Sequence, residues 1–413
     1  MGENFKNFWK IFGEKRFWAF AGSGLIVSVA YMDPGNWGTN ISAGGNFHYN
    51  LLWMVWLSSL MAMVFQYLSG KLGIAGFSLP ELVKDKLRHK ALVFIYWLLA
   101  ELVILATDLA EFLGIVVALK LLFGIPLIYG TFLAVLDVLF LVVLTQKKFR
   151  NLERMFVLFV SIIGLGFVYE VILSRPDFGA VLKHSFTPSL DGQNALVAVG
   201  IIGATVMPHA LFVHSWLIKN KVDNLSGPKD KLLSYHLGDN VVSLIIAGCI
   251  NAAMLIMAAA AFYGLKGQAV TLEGAYVTLK PLFGNLSALV FALALLFAGI
   301  SSSITGTLAG QSVMEGLVNF RIPAFLRKFI TRVINTIPLT IAIVLGIEPL
   351  KLLVASQAAL SILLPLPLVP LLLFTADKKI MGHLVNKPLT TAVAVVFAAV
   401  ILAFNFYLLW SLR

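Results

Sequence analysis

Residues 17–45 form an apolar run long enough to cross a bilayer, yet its middle holds four residues foreign to hydrocarbon, Asp33-Pro34-Gly35-Asn36. A hydrocarbon core about 30 Å thick takes about 20 helical residues. Within it every backbone N–H and C=O needs a partner from the chain, so spans are helices. A break in one is tolerated only inside protein or beside a water-filled cavity. A carboxylate at that depth is costly and marks a functional position. The tetrapeptide thus predicts a helical membrane protein and also the place where it works.

Composition extends this to the whole chain. Of 413 residues, 59% are hydrophobic and 12% charged, against about 25% charged in an ordinary soluble domain. Eleven spans are predicted, at 17–45, 50–72, 92–123, 126–145, 152–173, 194–218, 234–263, 287–316, 325–346, 350–374 and 388–411. The N-terminus and every second loop carry 24 of the 31 lysines and arginines. The positive-inside bias puts that side in the cytoplasm, with the N-terminus inside and the C-terminus outside. Solvated basic loops account for the net charge of +11, and no nucleic-acid partner is expected. The first apolar segment continues as a full span, so no cleavable leader is expected. The single cysteine, Cys249, reads as a small packing residue.

A second interruption, Gly203-Ala204-Thr205-Val206-Met207-Pro208-His209, falls in span 6, about 170 residues after the first. Pro208 breaks a helix interior but suits the first turn of a new helix. With five spans per half, span 6 holds the place of span 1, and an odd number of crossings inverts the second half. The expected organisation is one transporter domain: repeat 17–173, inverted repeat 194–374 and an added helix 388–411. Paired broken helices in inverted halves point to a transport site at the membrane midplane. Gly22, Gly24 and Gly35 are candidate flexible points in span 1.

A helix that stops in the membrane leaves carbonyls unpaired and a partially negative end. The Asp33 carboxylate, the Asn36 amide oxygen, the Ala204 carbonyl and the Met207 thioether are candidate ligands of a cation. The sulfur is soft and favours transition metals over Mg²⁺ and Ca²⁺. Asp33 disfavours an anionic substrate. Span 3 carries Glu101, Asp108 and Glu111 along one face, a candidate proton path. His209 and His214 are candidate proton carriers. Arg327, Lys328 and Arg332 open span 9, able to snorkel or to pair with those acids. Asp137 and Glu170 also lie at membrane depth and carry no assigned role. No zinc-protease motif, nucleophile elbow or P-loop is present, so neither an enzyme nor an ATP-driven pump is expected.

With Tyr31-Met32-Asp33-Pro34-Gly35-Asn36-Trp37, Gly203 to His209, His214-Ser215, and Thr107-Asp108-Leu109-Ala110-Glu111-Phe112, the chain resembles the Nramp family of proton-coupled divalent metal transporters. Ser302 to Gln311 and Val313-Met314-Glu315-Gly316 extend the likeness, which is greatest to the bacterial manganese-transporter branch. The resemblance implies an all-α LeuT-type fold of five plus five inverted helices with one added, in a bacterial inner membrane. It implies uptake of Mn²⁺, or Fe²⁺, Cd²⁺ or Co²⁺, with protons, and no permanent cofactor or obligatory protein partner. It assigns metal contacts to Asp33, Asn36, Met207 and the Ala204 carbonyl, with Ala30, Gln66 and Gln357 as state-dependent contacts. It assigns the proton pathway to Asp33, Glu101, Asp108, Glu111, His209, Arg327 and Arg332. Lys328 stands where arginine is expected, and Leu363 where many members have glutamine. An organic-solute carrier on the same fold is the alternative.

Overall fold

Helix is the natural state of these apolar runs, and the places where it fails are set by proline. In the computed structural model, which describes residues 11–20, 22–139, 149–223, 227–264 and 270–411, every regular described element is helical. Span 1 is two helices, Ser23–Ala30 and Pro34–Phe47. Span 6 is also two, Ala195–Val206 and Pro208–Val222. Spans 2, 3, 5, 7, 8 and 11 run unbroken as Leu52–Ala75, Lys90–Phe123, Phe149–Ser174, Lys229–Phe262, Asn285–Val318 and Pro388–Ser411.

Eight helical segments are long and apolar enough to cross a membrane among the described residues, against eleven predicted. The other three differ for identifiable reasons. Span 1 is divided into pieces of 8 and 14 residues. Span 4 begins at Leu127–Ala134, and its end at 140–145 lies outside the described residues. Span 9, Ala324–Val344, carries three cationic side chains. Lys6, Lys10, Lys147, Lys148, Lys266 and Arg413 of the charge pattern also lie outside the described residues.

The packing repeats itself. Span 1 lies against span 7 as span 6 lies against span 2, and span 10 lies on span 3 as span 5 lies on span 8. Spans 3 and 8 pack on each other, as do spans 2 and 7. These are the pairings that two five-helix units give when a two-fold axis relates them.

Span 10 is broken as well, into Pro349–Leu363 and Pro365–Ala376. The sequence predicts one continuous span at 350–374. Pro365 has no N–H for the carbonyl four residues back, that of Ser361. Span 11 supplies a substitute: Asn405 Nδ2 donates to the Ser361 carbonyl at 2.7 Å, and Ser361 Oγ donates to Asn405 Oδ1 at 2.7 Å.

Ahead of span 1, the short helix Lys15–Phe20 is held to the start of span 7. The Tyr235 hydroxyl donates to Glu14, and Lys231 Nζ lies 2.7 Å from the same carboxylate. Lys231, then Tyr235, hold the Glu14 carboxyl below the usual range. Span 1 proper begins at Gly22, whose φ of 112° suits glycine. The Asp239 carboxylate of span 7 accepts from Gly22 N at 3.3 Å and Gly24 N at 2.8 Å, capping the half-helix. Cys249, expected to be packed, is instead exposed on the outer side of span 7.

Replacing Asn405 with alanine removes the partner of the buried Ser361 hydroxyl and leaves the Ser361 carbonyl only its bond from Leu364 N at 3.2 Å. The expected loss is about 1–3 kcal/mol, seen as a lower melting temperature of Asn405→Ala in detergent. An unchanged melting temperature would show that span 11 does not secure the break.

Candidate functional site

The two central breaks are built alike. A helical carbonyl bonds the N–H four residues ahead, and proline has none. Pro34 therefore releases the carbonyl of Ala30, and Pro208 releases that of Ala204. The Ala30 carbonyl settles for a tighter bond from Asp33 N at 3.2 Å. The next one, of Tyr31, accepts from Asn251 Nδ2 of span 7 at 2.7 Å, and Asn251 Oδ1 in turn accepts from Asn40 at 2.9 Å.

The Ala204 carbonyl is taken across the gap between the two repeats. Asn36 Nδ2 donates to it at 2.8 Å and to Asp33 Oδ1 at 2.9 Å. Asp33 also caps its own half-helix, accepting from Asn36 N at 2.7 Å. One amide thus joins a carboxylate on one break to a carbonyl on the other. This corrects the expectation for Asn36, whose oxygen was expected to point at the same centre. Here the NH₂ faces both acceptors, and Oδ1 accepts from Thr205 Oγ1 at 3.3 Å. All of these groups are buried, Asp33 at 1% exposure.

Met207 forms the junction of the span-6 halves at φ 50° and ψ 101°. Positive φ is unfavourable for a long side chain, and such strain collects at functional sites. Gln357 of span 10 packs on both breaks. A Cβ on Gly35 would lie 2.1 Å from its Nε2, and one on Gly203 would lie 1.9 Å from its carbonyl oxygen. Gly35 is therefore a close-approach residue rather than a flexible point, and so is Gly24, whose Cβ would meet Asp239 at 2.9 Å. Gln357 Oε1 is buried with no partner. Gln66 is engaged elsewhere: its Oε1 accepts from His214 Nδ1 at 2.8 Å. Among the described residues no three His, Cys, Asp or Glu side chains gather as a metal site. The candidate donors are one carboxylate, amides, a carbonyl and a thioether, a mixture no side-chain cluster pattern describes.

Span 3 leads away from this centre. A Cβ on Gly114 would lie 2.2 Å from the Pro34 ring, so span 3 touches the first break directly. Glu111 is one turn earlier, fully buried, with neither carboxylate oxygen hydrogen-bonded. Lys328 Nζ lies 3.8 Å from it and 2.6 Å from Asp108. Arg332 lies 3.0 Å from Asp108 and 2.5 Å from Asp137. Asn335 Nδ2 donates to Asp108 at 2.9 Å. Toward the starts of spans 3 and 9, away from the break, Arg327 grips Glu101 with both terminal nitrogens. His209 Nδ1 lies 3.1 Å from Thr107 Oγ1, which is also 3.0 Å from the Val103 carbonyl oxygen.

The structure therefore brings Asp108, Glu111 and Arg332 into one ionic cluster and joins Glu101 with Arg327 as a separate ion pair between spans 3 and 9. Lys328 and Asp137 join the cluster, as does Asn335, which no motif in the sequence marks. Glu170 stands apart, paired with Ser287 at 2.6 Å.

The match to known proteins is extensive. A family model described as "Natural resistance-associated macrophage protein-like" covers residues 24–411. The divalent metal cation transporter MntH of Deinococcus radiodurans is 44% identical over 97% of this chain and 91% of its own. MntH of Bacillus subtilis is 39% identical over 97% and 94%. The crystal structure of the Eremococcus coleocola manganese transporter superposes with a TM-score of 0.84 at 33% identity, over 95% of this chain and 86% of that one. Mhp1, a nucleobase-cation-symport-1 family transporter, matches at a TM-score of 0.51 and 14% identity over 95% and 89%, which speaks for the LeuT-type fold alone. The chain belongs to the Nramp family and is a multi-pass membrane transporter, not an enzyme.

Proposed function

We propose that this chain imports Mn²⁺ and similar divalent transition metals, Fe²⁺, Cd²⁺ and Co²⁺, by alternating access with proton symport across a bacterial inner membrane. The observation that carries the proposal is the Asn36 amide joining the Asp33 carboxylate to the Ala204 carbonyl across the two breaks. Two acceptors that share one donor amide have the spacing to share one cation. On metal arrival Asn36 turns its amide over, presenting Oδ1 in place of NH₂. The Met207 sulfur adds the soft ligand that Mg²⁺ and Ca²⁺ do not use well. The MntH relatives are divalent metal cation transporters by name, and the Eremococcus coleocola neighbour is a manganese transporter.

Metal and proton compete for the Asp33 oxygens. A proton displaced from Asp33 has Glu111 at hand, one turn from the Gly114–Pro34 contact. Both Glu111 oxygens are open to it. From there Lys328 and Asp108 lead to Arg332, Asp137 and Asn335, and the separate Arg327–Glu101 pair of the same two spans is the next candidate step. Rocking of the half-helices opens the centre to one face and then the other. The basic loops put the N-terminus in the cytoplasm.

Reconstituted in proteoliposomes with an imposed pH gradient, the protein is expected to show saturable Mn²⁺ uptake that acid on the same side as the metal accelerates. Folded protein with no such uptake, or with saturable uptake of an organic solute instead, would overturn the proposal. Met207→Ala is expected to keep Mn²⁺ transport while improving Ca²⁺ relative to Mn²⁺ by about tenfold, the ratio that about 1.4 kcal/mol of ligand preference sets. Competition assays read this, and unchanged discrimination would reduce the sulfur to packing. In Asp108→Asn, Lys328 keeps Glu111 at 3.8 Å and Asp137 at 4.0 Å. Metal binding by calorimetry should therefore persist while metal-stimulated proton flux falls several-fold. Wild-type proton flux would remove Asp108 from the path.

A further inference from the structure

An apolar groove of about 780 Å³ opens on the outer side of the protein between spans 5 and 7. Span 5 contributes a helical stripe that includes Val157, Ser161, Leu165 and Val168, and span 7 contributes Val242, Ile246, Cys249 and Ala253. The stripes run from 157 to 168 and from 239 to 253, about 17 and 21 Å at 1.5 Å per residue. Each is the depth of roughly one leaflet of a core about 30 Å thick. The groove is closed at one end by Phe17 and Trp18 of the helix ahead of span 1, which Tyr235 holds by ring packing on Phe17 at 6.0 Å. Trp18 is 66% exposed there, an indole at the depth where aromatic residues anchor to headgroups.

Charge identifies the occupant. Arg154 is exposed and lies one turn before Val157, on the same stripe of span 5. Arg16 is exposed in the helix that closes the groove. Both belong to the basic side of the chain. We infer that the groove binds one anionic phospholipid of the basic-side leaflet, its acyl chain between spans 5 and 7 and its phosphate at Arg16 and Arg154. The acyl chain then lies beside Gly22 and Asp239, which line the same groove and fix the start of span 1. This inference goes beyond the transport proposal, and neither depends on the other.

The chain's single cysteine lies in the groove, so alkylation of Cys249 reports on the full-length wild-type protein without background. In detergent, palmitoyl-oleoyl phosphatidylglycerol is expected to slow alkylation by a small maleimide, saturating near one lipid per chain. Phosphatidylcholine should need several-fold more. Arg16→Gln and Arg154→Gln should each raise the half-protecting phosphatidylglycerol about fivefold, the worth of one basic side chain near an anionic surface. Ser161 is exposed, bonding only back to its own helix at Val157, so Ser161→Trp fills the groove without disturbing packing. It should slow alkylation in the absence of lipid and abolish the lipid response. Equal protection by both lipids, protection that never saturates, or protection that tracks dimer formation in light scattering would each overturn the inference.

Discussion

A carbonyl without its N–H partner cannot be left in hydrocarbon, and the prolines at the three helix breaks create that situation. Pro34, Pro208 and Pro365 each release the carbonyl four residues earlier, those of Ala30, Ala204 and Ser361. Asparagines make up the loss, one residue along at the first break. Asn251 reaches the Tyr31 carbonyl, Asn36 that of Ala204 and Asn405 that of Ser361. An amide suits this task because it donates without carrying a charge. In each case the donor comes from another span, so the breaks hold distant parts of the chain together while leaving the backbone open. Of the three, the Ala204 carbonyl shares its donor with a carboxylate, and that sharing makes one break a site and the others supports.

The buried ion pairs between Glu101 and Asp137 obey the same economy. Buried charges are tolerated when each is paired, and removing one partner costs about 3–5 kcal/mol. Arg332 bonds Asp108 and Asp137, stacks on the Phe112 ring at 4.6 Å and is fully buried. Glu111 departs from this rule, with no hydrogen bond to either oxygen and its nearest cation at 3.8 Å. A carboxyl so placed is the member of the series most easily protonated without breaking a contact.

Much of this was legible in the sequence because proline, a buried carboxylate and a methionine at a break each act locally. Asp33, Pro34, Met207 and Pro208 announce themselves against an apolar background. What escaped was tertiary. Nothing local marks Asn251, Asn335 or Asn405 as partners, since an asparagine in a span is equally compatible with any neighbouring helix. The face that Asn36 presents depends on the Ala204 carbonyl 168 residues away. The span-10 break was written in Pro365, yet proline at a helix start resembles proline in a kink. Gly24 and Gly35 read as hinges because glycine serves both freedom and close approach, and only the neighbours Asp239 and Gln357 decide between them. Cys249 read as packing because exposure to lipid and burial in protein favour the same residue types.

Met207 shows how the demands of the fold and of the site part company. The junction between the span-6 halves needs φ near 50°, which glycine adopts freely and other residues adopt at a cost of order 1–3 kcal/mol. If only the turn mattered, glycine would serve it better, and Gly203 four residues earlier shows that small residues are available in this helix. Gly203 instead is spent where the backbone of Gln357 comes within 1.9 Å of a would-be Cβ. The strained position keeps a long, soft side chain beside a break that faces Asp33. A protein that accepts backbone strain in order to hold a thioether there is stabilised less than it could be, and the proposed metal site is the term that balances the loss.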